Sequence, residues 1–234
     1  MNKTAALIIF AKTPVPGTVK TRMLPWLTES ECLELHALLL KHAIVRVKKF
    51  NYPALERNIF LTSFEDGIIR EIAKWTGRTR FSIQYQRGCD LGERLAEAME
   101  LKFRQGFQKV VIIGTDSPLI GDKEFRLALE VLNRHEVVLG PAEDGGYYLI
   151  GVSSSKPFLF RGIDWGTGKV FKQPVSCLNV HCVSWGELPL SFDLDTFQDL
   201  RKFLKQVGKN EGLKLGEEFE ELCQFIRQLV EKVK

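Results

Sequence analysis

Continuous apolar runs that alternate with helical segments constrain the fold of this chain more than any other feature. Residues 5–11 (AALIIFA) and the core of 109–113 (KVVII) are apolar, which is typical of strands that are covered on both faces. Between these runs the TESE sequence at Thr28 is a capping box that starts a long helix. Alternating and helical patterns there predict two more strands and two more helices: 57–62 and 80–86, then 66–75 and 90–105.

The second half of the chain continues the alternation less regularly. We predict a helix at 124–133, strands at 136–139, 147–151 and 177–183, a helical stripe from Phe197, and an amphipathic helix at 213–234. The pattern favours an α/β fold with a mainly parallel sheet. The chain shows no repeat or long linker, so residues 1–234 are expected to form one domain. Packing on this domain is the simplest role for the last helix, and a homodimer contact is the alternative.

Composition excludes several classes of protein. A content of 44% hydrophobic and 26% charged residues is that of a globular domain and not of a disordered chain. The net charge of +4 is too small and too dispersed to favour a nucleic-acid partner. No apolar run is long enough to insert into a membrane. The odd number of cysteines, 5, is typical of reduced thiols, so we expect a cytoplasmic protein.

The loop after the first strand, KTPVPGTVKTR, carries three cations on a backbone that two prolines and a glycine restrict. Lys12, Lys20 and Arg22 follow the carboxyl end of a strand, which is where ligands bind in open α/β sheets. Lysine and arginine at such a place suit phosphate. The alternative is an ordinary connection with solvated lysines. The loop matches neither the P-loop nor the GxGxxG motif.

Three aspartates are candidates for holding a metal ion. Asp116 follows the strand at 109–113, and Asp193 and Asp195 are two residues apart, on one side of an extended segment. A divalent cation would relieve the repulsion between converging carboxylates, and Mg²⁺ needs only one or two of them besides substrate phosphates. Asp116 has an alternative role in a turn before Pro118. For Asp195 we favour a helix cap with Gln198, which leaves Asp193 as the better second ligand.

Two further loops carry candidate binding residues. Glu143 and Asp144 precede two glycines, and their carboxylates suit hydrogen bonds from hydroxyl groups, although Asp-Gly is also a common hairpin turn. In RGCDLGER, Asp90 and Glu93 have the spacing of a helix cap, and Arg94 faces either a ligand or solvent.

Five motifs in order, AKTPVPGTVKTR, GTDSPL, GPAEDGGYYLIG, GIDWGT and DLDTFQDL, resemble a family of GT-A-like glycosyltransferases in the nucleotide-diphospho-sugar transferase superfamily. This family is similar to the molybdenum-cofactor and 2-phospholactate guanylyltransferases. The resemblance covers residues 5–200 and implies a three-layer α/β/α sandwich with a mixed, mainly parallel sheet. The chain departs from the nucleotidyltransferase pattern in its first loop, which is not the Gly-rich LxAGxGxRM type, and from the metal-binding DxD pattern, of which it has a single TD.

The resemblance also assigns roles to residues. It implies nucleotide binding by the first loop and the RGCDLGER segment, at Lys12, Pro16, Gly17, Thr18, Lys20, Arg22 and Arg94. It implies catalytic roles for Asp116, Lys20 and Arg22, and Mg²⁺ or Mn²⁺ held by Asp116 and Asp193. It places the acceptor at the third and fourth motifs, at Glu143, Asp144, Gly145, Gly146, Trp165 and Thr167.

The sequence thus predicts a metal-dependent transferase that uses an activated nucleotide. Glycosyl transfer from a nucleotide-sugar to a small acceptor is the first expectation. Transfer of a nucleotidyl group from a nucleoside triphosphate to a phosphorylated small molecule, with release of pyrophosphate, is the second. A nucleotide-binding module without turnover is the third.

Overall fold

The computed structural model describes residues 4–209 and 216–233. Its centre is a seven-stranded sheet in the order β3-β2-β1-β4-β6-β5-β7. The strands are β1 (Ala5–Ala11), β2 (Leu55–Leu61), β3 (Phe81–Tyr85), β4 (Lys109–Ile113), β5 (Val137–Pro141), β6 (Tyr147–Val152) and β7 (Trp185–Glu187). Strand β6 is antiparallel to both β4 and β5, and every other pairing of these strands is parallel. The predicted mixed, mainly parallel sheet is therefore confirmed.

Helices cover both faces of the sheet. They are α1 (Glu29–Lys49), α2 (Asp66–Thr76), α3 (Leu91–Arg104), α4 (Asp122–Val131), α5 (Lys172–Val180), α6 (Phe197–Lys209) and α7 (Glu217–Lys232). Alternate residues of β1 point to opposite sides, so Leu7 and Ile9 pack in the core under α1, α2 and α4, and Ile8 packs in the core under α3. This arrangement is the three-layer α/β/α sandwich that the resemblance implies.

A third cluster of buried side chains joins α1, α6 and α7 at one side of the sandwich. The apolar face of α7 contributes Phe219, Leu222 and Ile226 to it. The amphipathic helix predicted at 213–234 is present over Glu217–Lys232, and its first predicted residues lie outside the described part of the chain. Within the described ranges, no helix is both long and apolar enough to cross a membrane.

The predicted strand at 177–183 is wrong. Residues 172–180 form α5, on which Val175 and Leu178 share the buried face. The helix stops because Cys182 adopts the left-handed conformation with φ 52°, and the Val183 N–H then returns to the Leu178 carbonyl at 2.9 Å. That bond is typical of a Schellman motif at the end of a helix. The mixed apolar and polar pattern of residues 177–183 does not predict this motif.

Candidate functional site

Two loops meet at the carboxyl edge of the sheet because β1 and β4 are parallel neighbours. Ile9 pairs with Ile113, so Lys12 and Asp116 both leave the sheet at the same edge. His36 of α1 contacts the Lys12 carbonyl through Nε2 at 2.9 Å. This contact fixes the start of the first loop to the helix beside it.

Lys20 is at the centre of the site. Its backbone is left-handed, with φ 50°, and its side chain is only 4% exposed. Nζ lies 2.8 Å from Asp116 Oδ1 and 3.5 Å from Asp195 Oδ1. Burial opposes the ammonium charge, but Asp116 and Asp195 outweigh burial and raise the pKa of Lys20 above 10.5. Lys20 is therefore a buried cation shared by two carboxylates.

The ion pair with Lys20 also determines the ionisation of the Asp116 carboxyl. Burial would raise the pKa of this carboxyl, but the charge and hydrogen bond of Lys20 outweigh burial and lower the pKa below 3.8. The Asp116 carboxylate is 38% exposed. It is thus ionised and reachable from the cleft at neutral pH.

The segment before α6 lies against the Asp116 loop. The Leu194 N–H donates to the Asp116 carbonyl at 2.8 Å, and Lys20 Nζ donates to the Leu194 carbonyl at 2.6 Å. The Ser117 hydroxyl donates to Asp193. Burial, with smaller effects of neighbouring acids that include Asp116, raises the pKa of Asp193 to about 7. The structure thus brings the two predicted metal ligands to one place.

The cap that we favoured for Asp195 is wrong. The residue that caps α6 is Thr196, whose N–H donates to Asp199 Oδ2 at 2.7 Å and whose Oγ1 accepts from the Asp199 N–H at 3.4 Å. The capping box lies one residue later than predicted, so the Asp195 carboxylate is free to face the first loop. It contacts Arg22 Nη1 at 3.4 Å as well as Lys20.

A cleft of about 480 Å³ is lined by Lys20, Arg22, Asp116 and Asp195, together with Arg94, which the sequence assigned to either ligand or solvent. Asp193 is not among the residues that line it. The charged residues around the cleft are Lys12, Lys20, Arg22, Arg94, Asp116 and Asp195. Four cations and two carboxylates converge there. Such a surface is complementary to a polyanion that also carries a metal ion.

Arg94 reaches the cleft from the first turn of α3. The predicted cap is confirmed, since Asp90 Oδ1 accepts from the Glu93 N–H at 2.8 Å. Arg94 Nε donates to the Gly88 carbonyl at 3.0 Å. Gly88 has φ 140°, and a Cβ there would lie 2.7 Å from the Arg94 backbone nitrogen, so this turn requires glycine. Its geometry holds the guanidinium beside the cleft.

Several polar residues of the cleft, among them Gln86 and His36, were not predicted from the sequence. Gln86 follows β3 and lines the floor, where its amide donates to the Ala11 carbonyl at 2.8 Å and the Phe60 carbonyl at 2.9 Å. His36 of α1 also lines the cleft. A buried amide directly after a strand was the available signal for Gln86. The signal for His36 is absent from the sequence, because it depends on how α1 packs.

Not every predicted nucleotide-binding residue lies in the cleft lining. Pro16, Gly17 and Thr18 form an exposed turn on the outer side of the first loop, which the Thr18 hydroxyl closes on the Val15 carbonyl at 2.8 Å. Their role in nucleotide binding stays a prediction.

The predicted acceptor residues form a second group beside the cleft. Residues 142–146 are the turn between β5 and β6, where Asp144 Oδ1 accepts from the Gly146 N–H at 2.8 Å and Gly145 has φ 87°. Glu143 pairs with Lys202. The charge of Asp144 contributes to the raised pKa of Asp193, so this turn is near the acids of the site.

Trp165 and Thr167 belong to the loop that borders the cleft through Gly166. Trp165 packs edge-on against Tyr147 with ring centroids 6.3 Å apart, and it lines a neighbouring cleft of about 710 Å³. The Thr167 hydroxyl donates to the Asp164 carbonyl at 2.8 Å. The fourth motif therefore separates two clefts.

Comparisons with known proteins agree with this architecture. A solved structure from Desulfovibrio desulfuricans G20, named as a candidate nucleotide-diphospho-sugar transferase, is similar with a TM-score of 0.83 and 28% identity over 98% of this chain and 99% of that one. A cytidylyltransferase structure from Leptospira borgpetersenii shares the fold, with a TM-score of 0.55 and 16% identity over 98% and 96% of the two chains. The 2-phospho-L-lactate guanylyltransferase of Methanosphaera stadtmanae is 24% identical over 90% of this chain and 87% of its own.

These similarities identify a transferase of the nucleotide-diphospho-sugar transferase superfamily. Residues 50–167, half of the chain, match the model of a family described as an uncharacterized protein conserved in bacteria, DUF2064. This span includes β2 to β6, the Asp116 loop and Trp165. The chain therefore belongs to the DUF2064 family.

Proposed function

We propose that this chain is a nucleotidyltransferase that joins a nucleoside triphosphate to a phosphorylated small molecule and releases pyrophosphate. The observation that carries the proposal is the convergence of Lys12, Lys20, Arg22 and Arg94 with Asp116 in one cleft. The guanylyltransferase relative, which is similar along nearly the whole chain, supports this reaction over others. We also propose that residues 1–234 act as one domain.

The chemistry requires charge neutralisation more than acid–base catalysis. A phosphate oxygen of the acceptor attacks the α-phosphorus and forms the new P–O bond, while the bond from the α-phosphorus to the bridging oxygen breaks. Pyrophosphate leaves with that electron pair. Negative charge grows on the leaving group, and fixed cations at that position stabilise the transition state. We propose that Lys20 and Arg22 act on these oxygens and that Lys12 and Arg94 hold the remaining phosphates.

The residues present fit a hard divalent cation that the substrate helps to hold. Among residues 4–209 and 216–233, no group of three or more His, Cys, Asp or Glu side chains forms a metal site. A pair of carboxylates suits Mg²⁺ or Mn²⁺, because Mg²⁺ is commonly held by one or two carboxylates plus substrate phosphates. We propose Asp116 and Asp193 as these ligands, with Asp195 beside them. When bound, the ion would neutralise phosphate charge.

Glycosyl transfer from a nucleotide-sugar is the second candidate. Two observations favour it: the first loop is not glycine-rich, and the solved structure with a TM-score of 0.83 is named for nucleotide-diphospho-sugars. In that reaction an acceptor hydroxyl oxygen bonds to the anomeric carbon and gives its proton to solvent, while the bond from that carbon to the diphosphate breaks and the nucleoside diphosphate leaves with the electron pair. The acceptor would lie at Glu143, Asp144, Gly145 and Gly146, with Trp165 and Thr167 at its edge.

The two reactions differ in product. The chain is incubated with Mg²⁺, each of the four ribonucleoside triphosphates and a panel of phosphorylated acids, and pyrophosphate is measured with a coupled pyrophosphatase. A parallel set uses nucleotide-sugars and measures nucleoside diphosphate. We expect pyrophosphate, and we expect Asp116→Asn to abolish it. Release of nucleoside diphosphate alone would favour glycosyl transfer, and no product from either set would contradict both.

A further inference from the structure

Arg46 and His42, two buried residues of α1, hydrogen-bond to the loop that carries Asp116. Arg46 Nη1 donates to the Pro118 carbonyl at 2.6 Å, and His42 Nε2 contacts the same oxygen at 2.9 Å. Arg46 is 7% exposed and His42 is 1% exposed. The two residues are one helical turn apart, so they reach the oxygen from the same face of α1.

The burial of Arg46 and His42 in this arrangement costs folding free energy. Within the described ranges Arg46 forms no ion pair, although the charges of Glu124, Asp122 and Glu218 favour its guanidinium. Arg46 Nη2 and His42 Nδ1 have no hydrogen-bond partner. A buried cation without full hydrogen bonding costs free energy. Burial accordingly lowers the pKa of Arg46 to about 10 and that of His42 to about 3. Stability alone does not account for the pair.

The fold makes room for the guanidinium. A Cβ at Gly121 would lie 2.9 Å from Arg46 Nη2, so glycine at this position lets Arg46 reach the loop. Phe219 of α7 packs on the His42 ring with centroids 5.2 Å apart. The C-terminal helix thereby supports the pair from behind.

The Pro118 carbonyl oxygen belongs to the loop at 114–118, which carries Asp116 and contacts Asp193. Residues 114–118 place Asp116 against Lys20 and Ser117 against Asp193. On one side the loop is tied to residue 194 by the 2.8 Å bond to the Asp116 carbonyl. On the other side its anchor is the Pro118 carbonyl. A cavity of about 10 Å³ lies behind it, too small for any ligand larger than a water molecule.

We propose that Arg46 and His42 are positioning residues that hold the loop at 114–118, and so Asp116, in the geometry that binds diphosphate. The inference rests on the proposed function for its effect on binding, but not for its effect on the loop. Removing the guanidinium weakens the anchor at the Pro118 carbonyl, which His42 still contacts, while the ion pair between Asp116 and Lys20 remains.

The test compares two arginines that both donate to backbone carbonyls. Arg57 donates to the Val47 and Phe50 carbonyls at 2.9 and 2.7 Å, near the amino end of β2 and away from the cleft. Arg46→Met, Arg46→Lys and Arg57→Met are compared with the wild type. Hydrogen exchange of the amides at 114–117 is measured without ligand, and the affinity for inorganic pyrophosphate with Mg²⁺ is measured by calorimetry.

We expect Arg46→Met to speed exchange at 114–117 and to weaken pyrophosphate binding about tenfold, the change that about 1.4 kcal/mol of binding free energy produces. Arg46→Lys recovers part of both, and Arg57→Met changes neither. Equal effects of Arg46→Met and Arg57→Met, or unchanged exchange in Arg46→Met, would overturn the inference. If Arg46→Met does not fold, His42→Leu replaces it with the same expectation.

The exchange measurement and the binding measurement separate this inference from the proposed function. If the wild type fails to bind pyrophosphate or any nucleotide, the proposed function fails. The exchange comparison uses no ligand, and in that case it alone supports or overturns the placement of the loop by Arg46.

Discussion

Lys20→Met removes the buried cation at the centre of the site and keeps most of the side-chain volume. Methionine is unbranched like lysine, so packing around the stem is preserved, while three polar contacts of Nζ are lost: 2.8 Å to Asp116, 3.5 Å to Asp195 and 2.6 Å to the Leu194 carbonyl. The variant therefore isolates the ammonium group.

The expected loss of stability follows from burial. Removing one partner of a fully buried ion pair costs about 3–5 kcal/mol. The carboxylates of Asp116 and Asp195 are 38% and 31% exposed, so water recovers part of that cost. We expect the free energy of unfolding at pH 7 to fall by about 1–3 kcal/mol after this discount.

The loss has a defined pH window. The pKa of Asp116 is lowered below 3.8 in the folded state, so its pairing with Lys20 stabilises the fold above the unfolded pKa and is lost as pH falls through the folded value. The pKa of Lys20 is raised above 10.5, so its stabilisation is present below that pH and is lost only as pH rises further. The difference between wild type and variant should be largest from about pH 5 to pH 10.

Urea unfolding at pH 3, 7 and 9 measures this difference. Lys74→Met is the matched control, because Lys74 lies 2.6 Å from Glu71 but is 70% exposed, and an exposed pair contributes about 0–1 kcal/mol. Equal stability of Lys20→Met and wild type at pH 7, or a loss of the same size at every pH, would refute the buried ion pair.

Four further substitutions test other parts of the structure. Thr196→Ala removes the cap of α6 and should lower the free energy of unfolding by about 1 kcal/mol without changing pyrophosphate affinity. Asp195→Asn should instead change pyrophosphate affinity and leave the free energy of unfolding unchanged. Gly145→Ala places a Cβ 2.4 Å from the Gly168 carbonyl oxygen at φ 87°, and a melting curve should show a loss of about 1–3 kcal/mol. Because the pKa of Asp193 is raised to about 7 in the folded state, its ionisation destabilises the fold as pH rises through 4 to 7. Asp193→Asn should therefore be more stable than wild type at pH 8 in EDTA and equal to it at pH 3.5 in the same unfolding assay.

Local patterns in the sequence predict much of the fold. The run at 5–11 is buried on both faces, and this produces β1 over Ala5–Ala11. The capping box at Thr28 starts α1, as its spacing predicts. From β1 and β4 alone, the edge where Lys12 and Asp116 meet follows from parallel pairing. The first strand and the start of α1 depend on residues that are close in sequence.

The remaining features depend on contacts between distant residues. Asp195 was read as a cap because acids before a helix usually are, and only the position of Lys20 shows its other role. The contact of Ser117 with Asp193 joins residues 76 apart, and that of Arg46 with Pro118 joins residues 72 apart. No local pattern encodes these pairings, because they arise when helices and loops pack.

The central claim is that the cations and Asp116 of one cleft bind the phosphates of a nucleotide. Thermal unfolding with each ribonucleoside triphosphate and Mg²⁺ tests it directly. A ligand at about 100 times its Kd adds about 2.7 kcal/mol, which corresponds to about 5–11 °C for a chain of this size. We predict such a shift for at least one triphosphate, dependent on Mg²⁺, lost in Arg22→Gln and retained in Arg70→Gln on α2. No shift with any triphosphate, or a full shift in Arg22→Gln, would contradict the claim.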